Sequence, residues 1–149
     1  MSDTDLINLY SGRILELAAD IPRTQRLKDP DATVKRRSPL CGSTVTVDIS
    51  LRDGKISDFG QDVKACALGQ AAASVVGANI IGRTIDEVRR ARAQMLDMLK
   101  KGGPVPDPPF SGLEALLPAR DFKNRHASIM LTLEATLEAL ESLEEPPQA

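Results

Sequence analysis

The chain has 149 residues, with 19 Lys and Arg against 21 Asp and Glu, a formal charge of −2, 3% aromatic residues and no Trp. A near-neutral chain with so few rings offers little to attract or stack nucleic acid, and its length suffices for one domain whose core needs no disulfide staples. Two cysteines behind the acidic, export-signal-free start "MSDTDLINLY" read as reduced thiols or metal ligands of a cytoplasmic protein, not as a bridge.

The charges are unevenly spread. Basic residues gather at Arg23, Arg26, Lys28, Lys35, Arg36 and Arg37, again at Arg89, Arg90 and Arg92, and a third time around Arg120, Lys123 and Arg125, while the C-terminal end is acidic. Solvated helix faces account for most such runs, and a docking face for an acidic protein is the alternative.

Residues 4–19 place Leu6, Leu9, Tyr10, Ile14 and Leu17 at near-helical spacing behind capping side chains at Ser2 to Asp5. This predicts an amphipathic first helix that ends before Pro22. The stretch "LKDPDATVKRRSP" reads as loop with a short strand around Thr33 to Arg36. From Thr44 to Leu51, apolar Val45, Val47, Ile49 and Leu51 alternate with Thr44, Thr46, Asp48 and Ser50, the pattern of a half-buried strand. Asp53-Gly54 then signals a hairpin with a type I′ turn, whose two central residues need positive φ. The return strand runs from Lys55 to about Val63, and because Ile56 and Phe59 fall out of phase, a bulge is expected at Gly60.

Cys66 and Ala67 open a charge-free helix in which Gly69, Ala73 and Gly77 recur every four residues, a flat stripe suited to close packing on the hairpin sheet. The charge-free run from Ala65 to Gly82 is interrupted by Gln70, Ser74, Asn79 and glycines, so it predicts a buried helix and no membrane span. Thr84 and Glu87 make a capping box before the stripe Ile85, Val88, Ala91, Met95 and Leu99, and Lys100-Lys101-Gly102 ends that helix ahead of Pro104. "GGPVPDPPFSG" is an irregular connector, "LEALL" a short helix, and Met130, Leu133, Leu137 and Leu140 mark a last amphipathic helix before "EEPPQA". The whole predicts an α+β fold, with a small antiparallel sheet built on a hairpin at about 44–63 and packed against an N-terminal helix and C-terminal helices. One domain spanning 1–149 is expected, with a flexible tail from 142.

Three residues can carry chemistry. Cys41 precedes the first hairpin strand and Cys66 follows the second, so the hairpin brings both to one end of the sheet, either as a metal or redox pair or as two ordinary buried thiols. Gly42 gives a tight turn beside Cys41. Cys66, at a helix N-terminus, meets free N–H groups that favour a sulfur anion able to bind metal or attack sulfur. His126, the single histidine, begins the last helix, where a surface or core role competes with ligation.

With "SPLCGSTVTVDISLRDGKI", "KACALGQAAAS" and "NRHASIMLTLEA" taken together, nearly the whole chain resembles the U-type iron–sulfur cluster scaffold family, comprising IscU, SufU and the N-terminal part of NifU. The likeness begins at "LYSGRILELAADIPR". It implies a non-catalytic protein that holds a nascent [2Fe–2S] cluster, iron or a zinc ion, receives sulfur from a cysteine desulfurase and passes the cluster to recipient apoproteins. Cys41, Cys66 and His126 are the ligands the resemblance implies. The family's set is incomplete here, because Ser43 stands where the first motif has Asp after Cys-Gly, and Ala127 where a further cysteine is expected.

The long interval between Cys66 and His126 is nearer to the SufU type, which makes zinc an option, and the IscU chaperone motif Leu-Pro-Pro-Val-Lys is absent. Two thiolates and an imidazole leave a position open to water, Ser43 or a second chain. Three functions follow: a cluster scaffold or carrier, a zinc-containing sulfur acceptor, or an interaction protein that kept the fold and lost the chemistry. The chain is expected as a monomer or weak homodimer, with neither nucleic acid nor membrane as partner.

Overall fold

The computed structural model describes residues 11–39 and 42–144. Helix α1 (Gly12–Ala19) starts at Ser11, whose hydroxyl accepts from the Ile14 N–H at 3.4 Å, and it buries Ile14. Leu6, Leu9 and Tyr10, expected on the same helix, lie outside the described residues, as do residues 145–149 of the expected tail.

Three strands follow, β1 (Ala32–Arg37), β2 (Thr44–Arg52) and β3 (Lys55–Lys64), antiparallel in the order β1-β2-β3. The strand expected around Thr33 is therefore a full edge of the sheet, and its exposed Lys35, Arg36 and Arg37 discourage pairing with another sheet. The hairpin turns at Asp53 and Gly54, with φ of 54° and 77°, as a type I′ turn requires. The bulge lies elsewhere than expected. Leu51 faces Ile56 while Ser50 faces Asp58, so Ser57 is the extra residue, and Gly60 pairs in register with Asp48. Gly60 serves a different need, since a Cβ there would run into the Gln25 carbonyl of the segment that lies against this face of the sheet.

That segment makes the second face of β2 partly interior. Asp48, which simple alternation places toward solvent, is fully buried. It accepts from Arg26 Nε at 2.6 Å and Nη2 at 3.0 Å, from the Leu27 N–H at 3.0 Å and from the Thr33 hydroxyl at 2.6 Å. Burial pushes its carboxyl up, but the guanidinium, the hydroxyl and the N–H together outweigh this and hold it below the usual carboxylate range.

Helix α2 (Ala67–Asn79) has Cys66 as its N-cap residue. Its small-residue stripe lies on the hairpin sheet only in part, at Ala73 and Gly77 against Gln61 of β3: α2 packs chiefly on α1, on the last helix and on a 3-10 segment. A Cβ on Gly69 would meet the hydroxyl of Ser128, and one on Gly77 would meet Gln61 and Pro22. The buried Gln61 amide donates to the carbonyls of Pro22 and Ala73 and ties β3 to that helix.

Helix α3 (Ile85–Lys101) has the expected capping box and ends at Gly102 in the left-handed conformation. The short helix expected at "LEALL" is a longer 3-10 run, Phe110–Asp121, burying Phe110, Leu113, Leu116 and Ala119. Their spacing of three matches the three residues per turn of that helix, which is why it presents one apolar row. The final helix α4 (His126–Ser142) is not amphipathic in the expected sense. It is buried from Ser128 to Leu133 and again at Ala135, Thr136, Ala139 and Leu140, because β1 and β2, α2 and α3 all pack around it. Among the described residues no helix is long and apolar enough to cross a membrane.

Candidate functional site

The site forms at the end of the sheet where β1 turns into β2 and β3 runs out into α2. The β1–β2 connection is closed by two backbone bonds: the Ser38 N–H donates to the Ser43 carbonyl at 2.8 Å and the Gly42 N–H to the Ser38 carbonyl at 3.0 Å. Gly42, at φ 68°, supplies the left-handed residue this tight return needs. Cys41 lies outside the described residues, but its neighbours Gly42 and Ser43 fix the end of the sheet at which the loop stands.

Thr44 pairs with Lys64, so β3 leaves the sheet at the same end, and Ala65 carries the chain to Cys66. Cys66 caps α2 through its backbone, with its carbonyl accepting from the Gln70 N–H at 2.9 Å, and its side chain makes no cap bond. The thiol is free and half-buried, with Sγ 3.5 Å from Ser128 Oγ of α4. The Ser128 hydroxyl donates to Ser43 Oγ at 3.0 Å. Three side chains from the β1–β2 turn, the head of α2 and the head of α4 thus meet, and both serines are buried.

Ser128 is the member that sequence reasoning missed. The family pattern drew attention to Ala127, but Ala127 is exposed and it is the next residue that reaches Cys66. A signal was present: Ser128, Thr132 and Thr136 recur every four residues through an otherwise apolar helix, which places small hydroxyls along one buried face.

His126 faces elsewhere. Two residues before Ser128 on the helix, it departs by roughly 200° about the axis. Its Nε2–H donates to the carbonyls of Ala119 at 2.9 Å and Arg120 at 3.1 Å, and Nδ1 is buried with no partner among the described residues. The ring is 3% exposed and lines a groove beside the thiol–hydroxyl cluster. Among the described residues no group of three His, Cys, Asp or Glu side chains stands close enough to hold a metal ion.

The chemistry of this donor set follows from its atoms. A thiol can lose its proton and become a soft ligand or a sulfur nucleophile, whereas a serine hydroxyl at neutral pH is a weak ligand that mainly donates and accepts hydrogen bonds. The described part of the site is therefore a hydroxyl-lined seat for one sulfur, open to whatever the neighbouring loop adds.

The model of the NifU-like N-terminal domain family matches residues 9–111, which include Cys41, Ser43 and Cys66 and stop short of His126 and Ser128. The chain belongs to this family. A crystal structure of a nitrogen-fixing NifU-like protein (N-terminal) from Brucella abortus is 46% identical, with 94% of this chain and 97% of that one covered and a TM-score of 0.92. A candidate scaffold protein for the SUF system from Fervidobacterium islandicum shares the fold at a TM-score of 0.80 and 21% identity, over 90% of this chain and 98% of that one. The iron–sulfur cluster assembly scaffold protein IscU of Thermotoga maritima is 21% identical over 93% of this chain and 96% of its own length. The IscU 1 protein of Archaeoglobus fulgidus is 27% identical over 62% and 63%. The expected α+β, NifU-like fold and family are thereby borne out.

Proposed function

We propose that this chain is an iron–sulfur cluster assembly scaffold or carrier whose cargo, a [2Fe–2S] cluster or iron, is held at Cys66 and Cys41. The observation that carries this reading is the seat of Cys66: a free, half-buried thiol at the head of α2, at the sheet end to which the Cys41 loop belongs, within a family whose relatives are named as cluster scaffolds. Cargo enters here as substrate. Two thiolates and weak hydroxyl neighbours hold a cluster less firmly than four thiolates would, which suits a protein that must release it. The reading is of a non-catalytic carrier in the reducing cytoplasm, a monomer or weak homodimer, served by a cysteine desulfurase and emptied by recipient apoproteins.

Anaerobic addition of iron and sulfide should give visible absorbance that is lost in Cys41→Ala and Cys66→Ala. A wild type that stays colourless and metal-free would overturn the reading and favour a chain that keeps the fold without the chemistry. Substituting His126 in the same assay tests whether its buried Nδ1 joins the ligand set.

The hydroxyl-lined surroundings of Cys66 favour a second reading, as a sulfur acceptor. The Cys66 thiolate would attack the outer sulfur of a desulfurase persulfide; a new S–S bond forms at Cys66, the donor S–S bond breaks, and the donor cysteine leaves as thiolate with no net redox change. A bound zinc belongs to this reading only if Cys41 and further ligands complete its shell. Stimulation of desulfurase turnover by the wild type and not by Cys66→Ala is the expected result.

A further inference from the structure

The three basic clusters of the sequence meet different fates in the fold. The middle one is neutralised: Arg89 bridges Asp86, Glu141 and Glu144, Arg90 bridges Asp107, and Arg92 bridges Glu134. In the first, Arg26 is taken up by Asp48 and Arg36 by Glu138. Of the exposed basic residues that no carboxylate takes up, some lie scattered, as Lys28, Arg52 and Lys55 do, and three stand together. Arg37 at the end of β1, Lys100 at the end of α3 and Lys123 just before α4 stand around one groove, exposed and without a carboxylate partner among the described residues. The single acid lining that part, Glu134, is already held by Arg92 at 3.0 Å.

The groove has an apolar floor under its basic rim, made by Leu96, Met130 and Leu131, and measures about 340 Å³. Lys100, Lys123 and His126 also line a second hollow of about 420 Å³, beside Arg120 and Asp121. Ser38 and Pro39, three and two residues before Cys41 in the sequence, form part of the wall. Cations contributed by three separate elements around one groove fit a chain of carboxylates better than they fit one compact anion, and no aromatic side chain lines it to stack a base. The acids of α4 and Glu144 just beyond it cannot serve as occupant from a second copy without giving up their own ion pairs, since Glu134, Glu138, Glu141 and Glu144 are all engaged.

We propose that this groove docks an acidic, partly apolar segment of the partner protein that exchanges cargo with this chain. The cargo part of that statement rests on the carrier reading above; the groove and its ligand class do not.

The test uses the full chain and a short fluorescein-labelled peptide alternating Glu with Leu and Ala, titrated by anisotropy at low and high salt. The triple variant Arg37→Glu, Lys100→Glu, Lys123→Glu is compared with Lys28→Glu, Arg52→Glu, Lys55→Glu, which changes net charge equally on exposed residues elsewhere. Circular dichroism checks that both fold. Binding should weaken with salt, fall at least about tenfold in the groove variant and stay within about twofold in the control. Equal loss in both variants, no loss in the groove variant, or displacement of the peptide by inorganic phosphate or a single-stranded oligonucleotide at a lower concentration than by unlabelled peptide would each overturn it.

Iron and sulfide loading of the same variants separates the two readings. The groove variant should still load cargo, and Cys66→Ala should still bind peptide. If Cys66 carries no cargo while peptide binding holds, the carrier reading fails and the docking groove stands.

Discussion

Two polar clusters border the same strand and could hardly be more different in how they are satisfied. Around Asp48, in the middle of β2, two guanidinium nitrogens, a backbone N–H and a hydroxyl converge on one fully buried carboxylate at 2.6 to 3.0 Å. Just before the start of β2, Ser43 is linked to Ser128, and Ser128 only loosely to Cys66, at 3.5 Å. A buried carboxylate without donors is too costly to survive, so its cluster is filled by the fold itself. A thiol gives and takes weak hydrogen bonds and tolerates loose company, so its cluster can stay loosely bonded at little cost.

The contrast predicts a graded series in urea denaturation, the largest loss falling where the fold has spent its hydrogen bonds. Asp48→Ala should cost about 2 kcal/mol, because it removes the one acceptor on which Arg26, Thr33 and the Leu27 N–H converge; a loss below about 1 kcal/mol would show the cluster to be dispensable. Its pH signature has a definite sign. The folded carboxyl is held below its unfolded value of about 3.9, so its stabilisation is fully present above that value and lost as pH falls through the lower folded one. Acidification through that window should narrow the gap between wild type and Asp48→Ala.

Next comes Gly69→Ala. An alanine gains about 1 kcal/mol of helix propensity, yet its Cβ would lie 2.7 Å from Ser128 Oγ and 2.8 Å from Ala65 Cβ. Overpacking of this kind costs about 1 to 3 kcal/mol, so net destabilisation of about 1 kcal/mol is expected, with α4 pushed off α2 and cargo loading impaired. A gain in stability would show that the helices can part freely. Ser128→Ala should cost about 1 kcal/mol through the lost bond to Ser43 and change the reactivity of Cys66 toward a thiol reagent. Smallest of all, Cys66→Ala should leave stability within about 0.5 kcal/mol while abolishing cargo loading. A large unfolding effect there would make Cys66 a packing residue after all.

Much of this molecule could be read along the chain. The hairpin was legible because Asp53-Gly54 has few alternatives, and α3 because Thr84, Glu87 and Gly102 mark both of its ends chemically. The bulge was legible as a phase slip between Ile56 and Phe59 but not as a place, since a slip says that a residue is extra without saying which; pairing put it at Ser57. Cys66 at the head of a helix was legible from its flanking sequence. Ser128 was not, because a family pattern aligns residues along the chain, whereas contact depends on where each one points around the helix.

Local signals therefore specified the elements, their ends and the place of Cys66 at the head of a helix, because turns, caps and alternation are short-range physics carried by neighbouring residues. Three things required the elements to be brought together. One was the burial of Asp48 beneath Arg26, set by a loop crossing a strand. Another was the divergence of His126 from Cys66, set by the rotation of α4 against the 3-10 segment that claims its Nε2–H. The last was the sorting of basic residues into paired and unpaired, which depends on which acids the packed helices place opposite them. Each turns on groups far apart in the chain, whose distances no local pattern encodes.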